Sequence, residues 1–202
     1  MDTLTQRITW REFLEMDFPE DPTYYELIDG EIVKKAAPAP KHQIVSANFF
    51  SALNQFVREK GLGVVLYAPV DVFLDDYNLV QPDVLFLSDA KRSLITNDGI
   101  VGAPDLVAEI LLPTTAVRDR TSKLKLYERA GIAEYWLTDA QNTTVEVYQL
   151  TAKGYELYSA AAVEGTVASA LLQGFFVELK ALFGFLMSHS KRTCSAIARR
   201  IA

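Results

Sequence analysis

The chain has 202 residues, 50% of them hydrophobic and 23% charged, with a formal net charge of −6. That apolar content supports one globular domain with a buried core and excludes a disordered chain. The acidic balance excludes a general polyelectrolyte binder of nucleic acid, which needs a basic excess to displace counterions.

The N-terminal stretch Met1–Arg7 lacks the apolar run of a signal peptide, and Cys194 is the one cysteine. An intrachain disulfide framework and a cysteine zinc site within one chain are thereby excluded, and the expected compartment is the cytoplasm. Thr9 followed by Glu12 has the capping-box spacing that opens a short helix, stopped by Pro19. Residues 24–28 and 31–35 flank Asp29-Gly30, a dipeptide that tolerates positive φ, and are predicted to form a hairpin. A brief extended linker over 36–40 precedes Ile44, Val45, Phe49, Ala52, Leu53, Phe56 and Val57, whose helical spacing predicts a long helix ending at Gly61.

Strands are predicted over 64–67, 70–74 and 84–87, and over 106–112, where both faces are apolar and a central position is expected. A helix over 118–130 is stopped by Gly131, and the buried-looking strand 134–138 runs parallel to 106–112 through that crossover. Further strands are expected over 144–150, 155–158 and 175–179, then a short helix ending near Met187. The apolar run 171–187 is interrupted by Gln173, Glu178 and Lys180, so it does not read as a membrane span. Residues 188–202 carry basic side chains and no acid, and read as a tail.

Three charges stand in apolar segments: Asp83 in Gln81-Pro82-Asp83-Val84-Leu85, Glu109 in Val107-Ala108-Glu109-Ile110-Leu111, and Lys123. Burial of an unpaired charge is costly, so two carboxylates and an ammonium in such surroundings suggest one shared site. At 100° per residue, Lys123 falls on the apolar face made by Leu124, Leu126, Tyr127 and Ala130, whereas Lys125 points away. Asp119, four residues before Lys123, shares that face, so a structural helical ion pair is the plain alternative. In the functional reading Asp83 and Glu109 hold Mg²⁺ or Mn²⁺, which prefer carboxylate oxygens, and Lys123 steadies the attacking water or the charge developing on phosphorus.

The ordered segments Tyr25-Glu26-Leu27-Ile28-Asp29-Gly30-Glu31, His42-Gln43, Pro82-Asp83-Val84, Ala108-Glu109-Ile110-Leu111, Arg118-Asp119-Arg120 with Lys123 and Tyr127, and Gly131-Ile132-Ala133-Glu134-Tyr135-Trp136 resemble the Uma-type endonucleases of the PD-(D/E)XK nuclease superfamily. The resemblance runs from about Thr9 to Phe183. It implies an α/β restriction-endonuclease-like core, a mixed sheet flanked by helices; with the basic tail over 188–202 set apart by its composition, a single domain is expected over 1–187. It also implies DNA as the substrate. The superfamily's usual lysine two residues after the second acid is replaced here by Leu111, and the Uma-type pattern supplies it from the following helix, at Lys123. The family's Ser-Pro-Ser/Thr turn is Leu112-Pro113-Thr114-Thr115 here, one hydroxyl fewer.

Accessory candidates are His42, for a phosphate or a metal-bound water, and Glu26 or Glu31 as a third carboxylate. A capping or packing histidine and exposed hairpin acids are the plain readings of these three. Tyr127 and Trp136 read as core aromatics, and Glu134 as the start of a strand. Two other functions remain open: a non-catalytic nucleic-acid-binding or interaction module that keeps the fold, and a hydrolase of small phosphate esters. A homodimer is compatible with exposed strands.

Overall fold

The computed structural model describes residues 7–18, 25–35 and 37–184. Helix α1 (Trp10–Leu14) opens on the expected capping box: Thr9 Oγ1 accepts from the Glu12 amide at 3.3 Å, and the Thr9 amide donates to Glu12 Oε2 at 2.8 Å. Strands β1 (Tyr25–Ile28) and β2 (Glu31–Lys34) pair antiparallel around Asp29 and Gly30, with φ of 53° and 79°. Two successive positive φ values define the turn whose twist matches a hairpin.

Helix α2 (Pro40–Lys60) starts four residues before Ile44, with Pro40 in its first turn where a missing N–H costs nothing. It ends at Gly61, whose φ of 61° is the left-handed cap. Next come β3 (Gly63–Tyr67), β4 (Val72–Asp75), β5 (Asn78–Val80), β6 (Val84–Ser88), β7 (Ile100–Val101) and β8 (Leu106–Leu111). The crossover after β8 consists of α3 (Ala116–Arg118), a π-helical turn (Asp119–Lys123) and α4 (Leu124–Arg129). Strands β9 (Glu134–Asp139), β10 (Thr144–Thr151), β11 (Gly154–Ala162), β12 (Thr166–Ala168) and β13 (Phe176–Glu178) complete the order, and residues 179–184 are helical. The helix end expected near Met187 and the tail over 188–202 lie outside the described residues.

The main sheet has the order β11-β10-β9-β8-β6-β3. Strands β8 and β9 are parallel and the other pairs antiparallel, so the sheet is mixed and β8 is central, as its two apolar faces required. Residues alternate between the faces of β8. Leu106, Ala108 and Ile110 join a core with Val45, Phe49, Leu53 and Val57 of α2. Val107 and Leu111 pack instead with Leu126 and Tyr127 of α4. Glu109 has the parity of Val107 and Leu111, which sends it toward the crossover helix.

The single mixed sheet expected from sequence is joined by a second, five-stranded sheet of order β2-β1-β5-β4-β7, and by the pair β12-β13. The hairpin β1–β2 belongs to the second sheet, because β5 adds to the free edge of β1 through Leu27 and Leu79. Strands β5, β7 and β12 have two or three residues each, too few for a hydrophobic period to register. The strand expected from Val70 begins at Val72. Among the described residues no helix is long and apolar enough to cross a membrane.

Candidate active site

The site begins with a parting of strands. In the β6–β8 ladder Phe86 pairs with Leu106, Leu85 with Val107 and Val84 with Ala108. One further step would set Asp83 opposite Glu109, and the next would need an amide from Pro82, which has none. The ladder stops there, and the amide of Ile110, left without a strand partner, donates to Asp83 Oδ2 at 2.7 Å. A proline thus ends β6 and leaves two carboxylates side by side at the notch. Like charges placed so closely destabilise a sheet unless something compensates them.

Compensation comes from the crossover helix. Lys123, 3% exposed, places Nζ 2.8 Å from Glu109 Oε1, 2.9 Å from Glu26 Oε1 and 4.0 Å from Asp119 Oδ1. The Tyr127 hydroxyl donates to the same Glu109 Oε1 at 2.7 Å, and the Gln81 amide donates to Glu26 Oε1 at 2.9 Å. His42, near the start of α2, places Nε2 3.0 Å from Asp83 Oδ2. Lys35 Nζ donates to the carbonyl and the side-chain oxygen of Gln81, at 3.1 and 3.2 Å. All of these groups except Tyr127, which supports Glu109 from behind, line a cleft of about 240 Å³ between the two sheets and the crossover helix.

The charges fix one another's protonation. Burial alone would neutralise Lys123, but Glu109, Glu26 and Asp119 overcome it and hold the ammonium well above the ordinary lysine range. Burial likewise opposes ionisation of Glu26, yet Lys123, Lys35 and the Gln81 amide keep its pKa below the usual carboxylate value. Glu109 goes the other way: burial, assisted by the charges of Asp83, Asp119 and Glu26, outweighs Lys123 and pushes it up to about 7. Burial raises Asp119 as well. His42 is raised because its bond to the Asp83 carboxylate and that carboxylate's charge outweigh desolvation.

Glu26, Asp83, Glu109 and Asp119 are buried beside one buried ammonium and one imidazole. The cluster is therefore short of positive charge. The bonds made by Asp83 and Glu109 fall on Oδ2 and Oε1. Their second oxygens have no hydrogen bond among the described residues, and Glu26 Oε2 is buried without a partner. Among the described residues, no group of three or more histidine, cysteine, aspartate and glutamate side chains is arranged to enclose a metal ion. That excludes a closed protein cage there, but magnesium-type sites use one or two carboxylates and fill the remainder with water and phosphate. Asp83 and Glu109 fit such a site.

Of the residues singled out from sequence, Asp83, Glu109, Lys123, His42 and Glu26 are brought together. Glu31 is not: it is exposed on β2 opposite Ile28 and takes no part in the cleft lining. Glu26 corrects the plain reading of an exposed hairpin acid, since β5 closes over β1 and leaves Glu26 0% exposed. Tyr127 is more than a core aromatic, because its hydroxyl fixes one oxygen of Glu109. Its spacing of four from Lys123 was the available signal. Glu134 does more than begin a strand: it is buried and accepts from Trp136 Nε1, Ser169 Oγ and the amides of Ala170 and Leu171.

A mixed sheet flanked by helices, with an acidic notch where two central strands part, defines a restriction-endonuclease-like α/β protein. The family model described as "Putative restriction endonuclease", Uma2, matches residues 10–180. The chain belongs to this family. Among solved structures, one described as a putative nuclease of DUF820 from Anabaena variabilis superposes with a TM-score of 0.72 at 24% identity, covering 89% of this chain and 99% of that one. At that identity the likeness shows the fold. No curated protein matches the chain.

Proposed function

We propose that the chain is a metal-dependent endonuclease that hydrolyses DNA phosphodiester bonds in the cleft between its two sheets. The observation that carries this reading is the pairing of two adjacent carboxylates, each with an oxygen free of protein bonds, with a buried ammonium held in its charged form. Asp83 and Glu109 would hold Mg²⁺ or Mn²⁺, which when bound polarises a phosphoryl oxygen and acidifies a coordinated water.

The protein's own contribution is positioning and charge. His42 and the Ile110 amide fix Oδ2 of Asp83, and Tyr127 and Lys123 fix Oε1 of Glu109, so each carboxylate presents its other oxygen to the cleft. Lys123 keeps its proton, so it serves as fixed positive charge toward the phosphorane-like transition state, not as a base. Water adds to phosphorus, the P–O bond to the leaving oxygen breaks, and one water is consumed for each phosphodiester cut. Leu111, at the superfamily's usual lysine position, packs in the core with Leu126 and Tyr127, so the charge must arrive from the helix.

The test is nicking of supercoiled plasmid by purified protein in Mg²⁺, in Mn²⁺ and in EDTA. Cleavage is expected only with metal, to be lost in Asp83→Ala, Glu109→Ala and Lys123→Ala, and to be retained in Lys125→Ala. Metal-dependent nicking that survives in either carboxylate variant refutes the assignment. Calorimetry that finds no Mn²⁺ binding at the cleft would favour a non-catalytic module with the same fold.

A further inference from the structure

The crossover helix carries five basic residues, and their partners differ. Arg120 Nη1 bonds Glu146 Oε2 at 2.6 Å, and Arg129 pairs with Asp29. Lys123 is held by its carboxylates, and Lys125 is exposed and takes no part in the cleft lining. Arg118 lines the cleft and makes no hydrogen bond or ion pair among the described residues, and its Nε is shielded from solvent without an acceptor. A guanidinium N–H withdrawn from water and left unpaired is a standing cost to the fold. Such a cost is relieved when a ligand supplies the acceptor.

The backbone explains how Arg118 reaches the cleft. Five residues apart on a regular α-helix, Arg118 and Lys123 would diverge by about 140° at 3.6 residues per turn. The π-helical turn Asp119–Lys123 lies between them. Its wider i→i+5 closure narrows that divergence and brings residues five apart toward the same side. Both side chains accordingly line the same cleft. Lys123 is enclosed by acids at the floor, whereas Arg118 is half-buried and keeps its donors unspent.

We propose that Arg118 is a substrate-binding residue that grips the non-bridging oxygens of a DNA backbone phosphate entering the cleft. The inference rests on the phosphodiesterase reading above and deepens it by naming the anion contact. A guanidinium suits the task because its planar fork matches two phosphate oxygens and never loses its charge. The floor is dominated by carboxylates that repel phosphate, Lys123 is bonded to two of them and Lys35 donates to the Gln81 oxygens, so Arg118 is, among the described residues, the cleft-lining cation with no acceptor of its own.

The experiment measures fluorescence anisotropy of a labelled duplex over a salt series, in EDTA and with Ca²⁺, scored on uncleaved DNA. A second set of duplexes carries one neutral methylphosphonate at successive positions. Arg118→Ala is expected to weaken binding roughly tenfold and to lower the salt slope by about one. Arg118→Lys should recover part of the affinity, and Arg120→Ala and Arg129→Ala should change neither quantity. One methylphosphonate position should weaken the wild type and leave Arg118→Ala unaffected. If the alanine variant melts early, Arg118→Gln, which retains the aliphatic stem, is read in its place. Equal affinity and slope in Arg118→Ala, or a methylphosphonate penalty that persists in it, overturns the inference and leaves the nuclease reading standing. A wild type that neither binds nor nicks duplex overturns both.

Discussion

Replacing Lys123 by methionine removes the buried ammonium while nearly conserving volume, so the cavity contribution is small and the electrostatic one is exposed. Its Nζ lies 2.9 Å from Glu26 Oε1 and 2.8 Å from Glu109 Oε1, with all three side chains buried. Breaking a buried pair from one side costs about 3–5 kcal/mol. At about 2–4 °C per kcal/mol for a domain of this size, the melting temperature should fall by roughly 6–20 °C. The pH dependence has a definite sign. In the wild type Glu26 is held below its ordinary pKa, so its contribution is present above about 4.5 and is lost as pH falls through the folded value. Without Lys123, burial raises Glu26, so ionising it opposes folding as pH rises. The deficit is therefore largest near pH 8 and shrinks toward pH 5, and adding Glu26→Gln to the variant should recover part of it. Urea unfolding in EDTA at both pH values measures this. A deficit under about 1 kcal/mol, or one equal at the two pH values, refutes the reasoning.

Mn²⁺ affinity measured by calorimetry should rise with pH up to about 7 and then level off, because the Glu109 carboxyl is held near that value by burial and by Asp83, Asp119 and Glu26. Below pH 7 each ion bound at Glu109 must displace its proton, so affinity that is flat from pH 6 to 8.5 would contradict the assignment. Glu134→Ala should lower stability by about 3 kcal/mol or more, since four donors at 2.6–2.9 Å lose their shared acceptor. Because Glu134 lies outside the cleft lining, nicking per folded molecule should be unchanged; a proportionate loss of activity at full folding would assign it a role in the site.

Asp83 and Glu109 were legible because each interrupts an apolar run, and Lys123 because it falls on the apolar face of a helix; a charge in such a place needs a partner nearby. The central position of β8 was legible for the same reason, from apolar residues at every position but one. Glu26 was not. Tyr25-Glu26-Leu27-Ile28 beside Asp29-Gly30 reads as a two-stranded hairpin with one wet face, whereas β5 turns β1 into an interior strand with all four residues buried. Strand β5 has only three residues, and one of them, Asn78, is polar, so its pattern announces nothing. The π-helical turn was invisible to a uniform 100° per residue. That count still placed Lys123 correctly, because its apolar neighbours Leu126 and Tyr127 lie on its C-terminal side, beyond the widened turn. Glu134 was unreadable because its partners Ser169, Ala170 and Leu171 lie 35 to 37 residues downstream, and no local pattern reports such a contact.

The ion cluster also has a history in the chain. Glu26 and Lys123 are 97 residues apart, and they meet only after the hairpin has joined β5 and the crossover has docked on β8. Contacts that span so much sequence are among the last to be rewarded during folding. A growing chain that has delivered Asp83 and Glu109 still lacks Lys123, and so has neither the neutralising charge nor a settled cleft. On the proposed reading, competence for phosphodiester chemistry would be withheld from unfinished or misassembled chains, and the same contacts that define the cleft certify that both sheets have been completed.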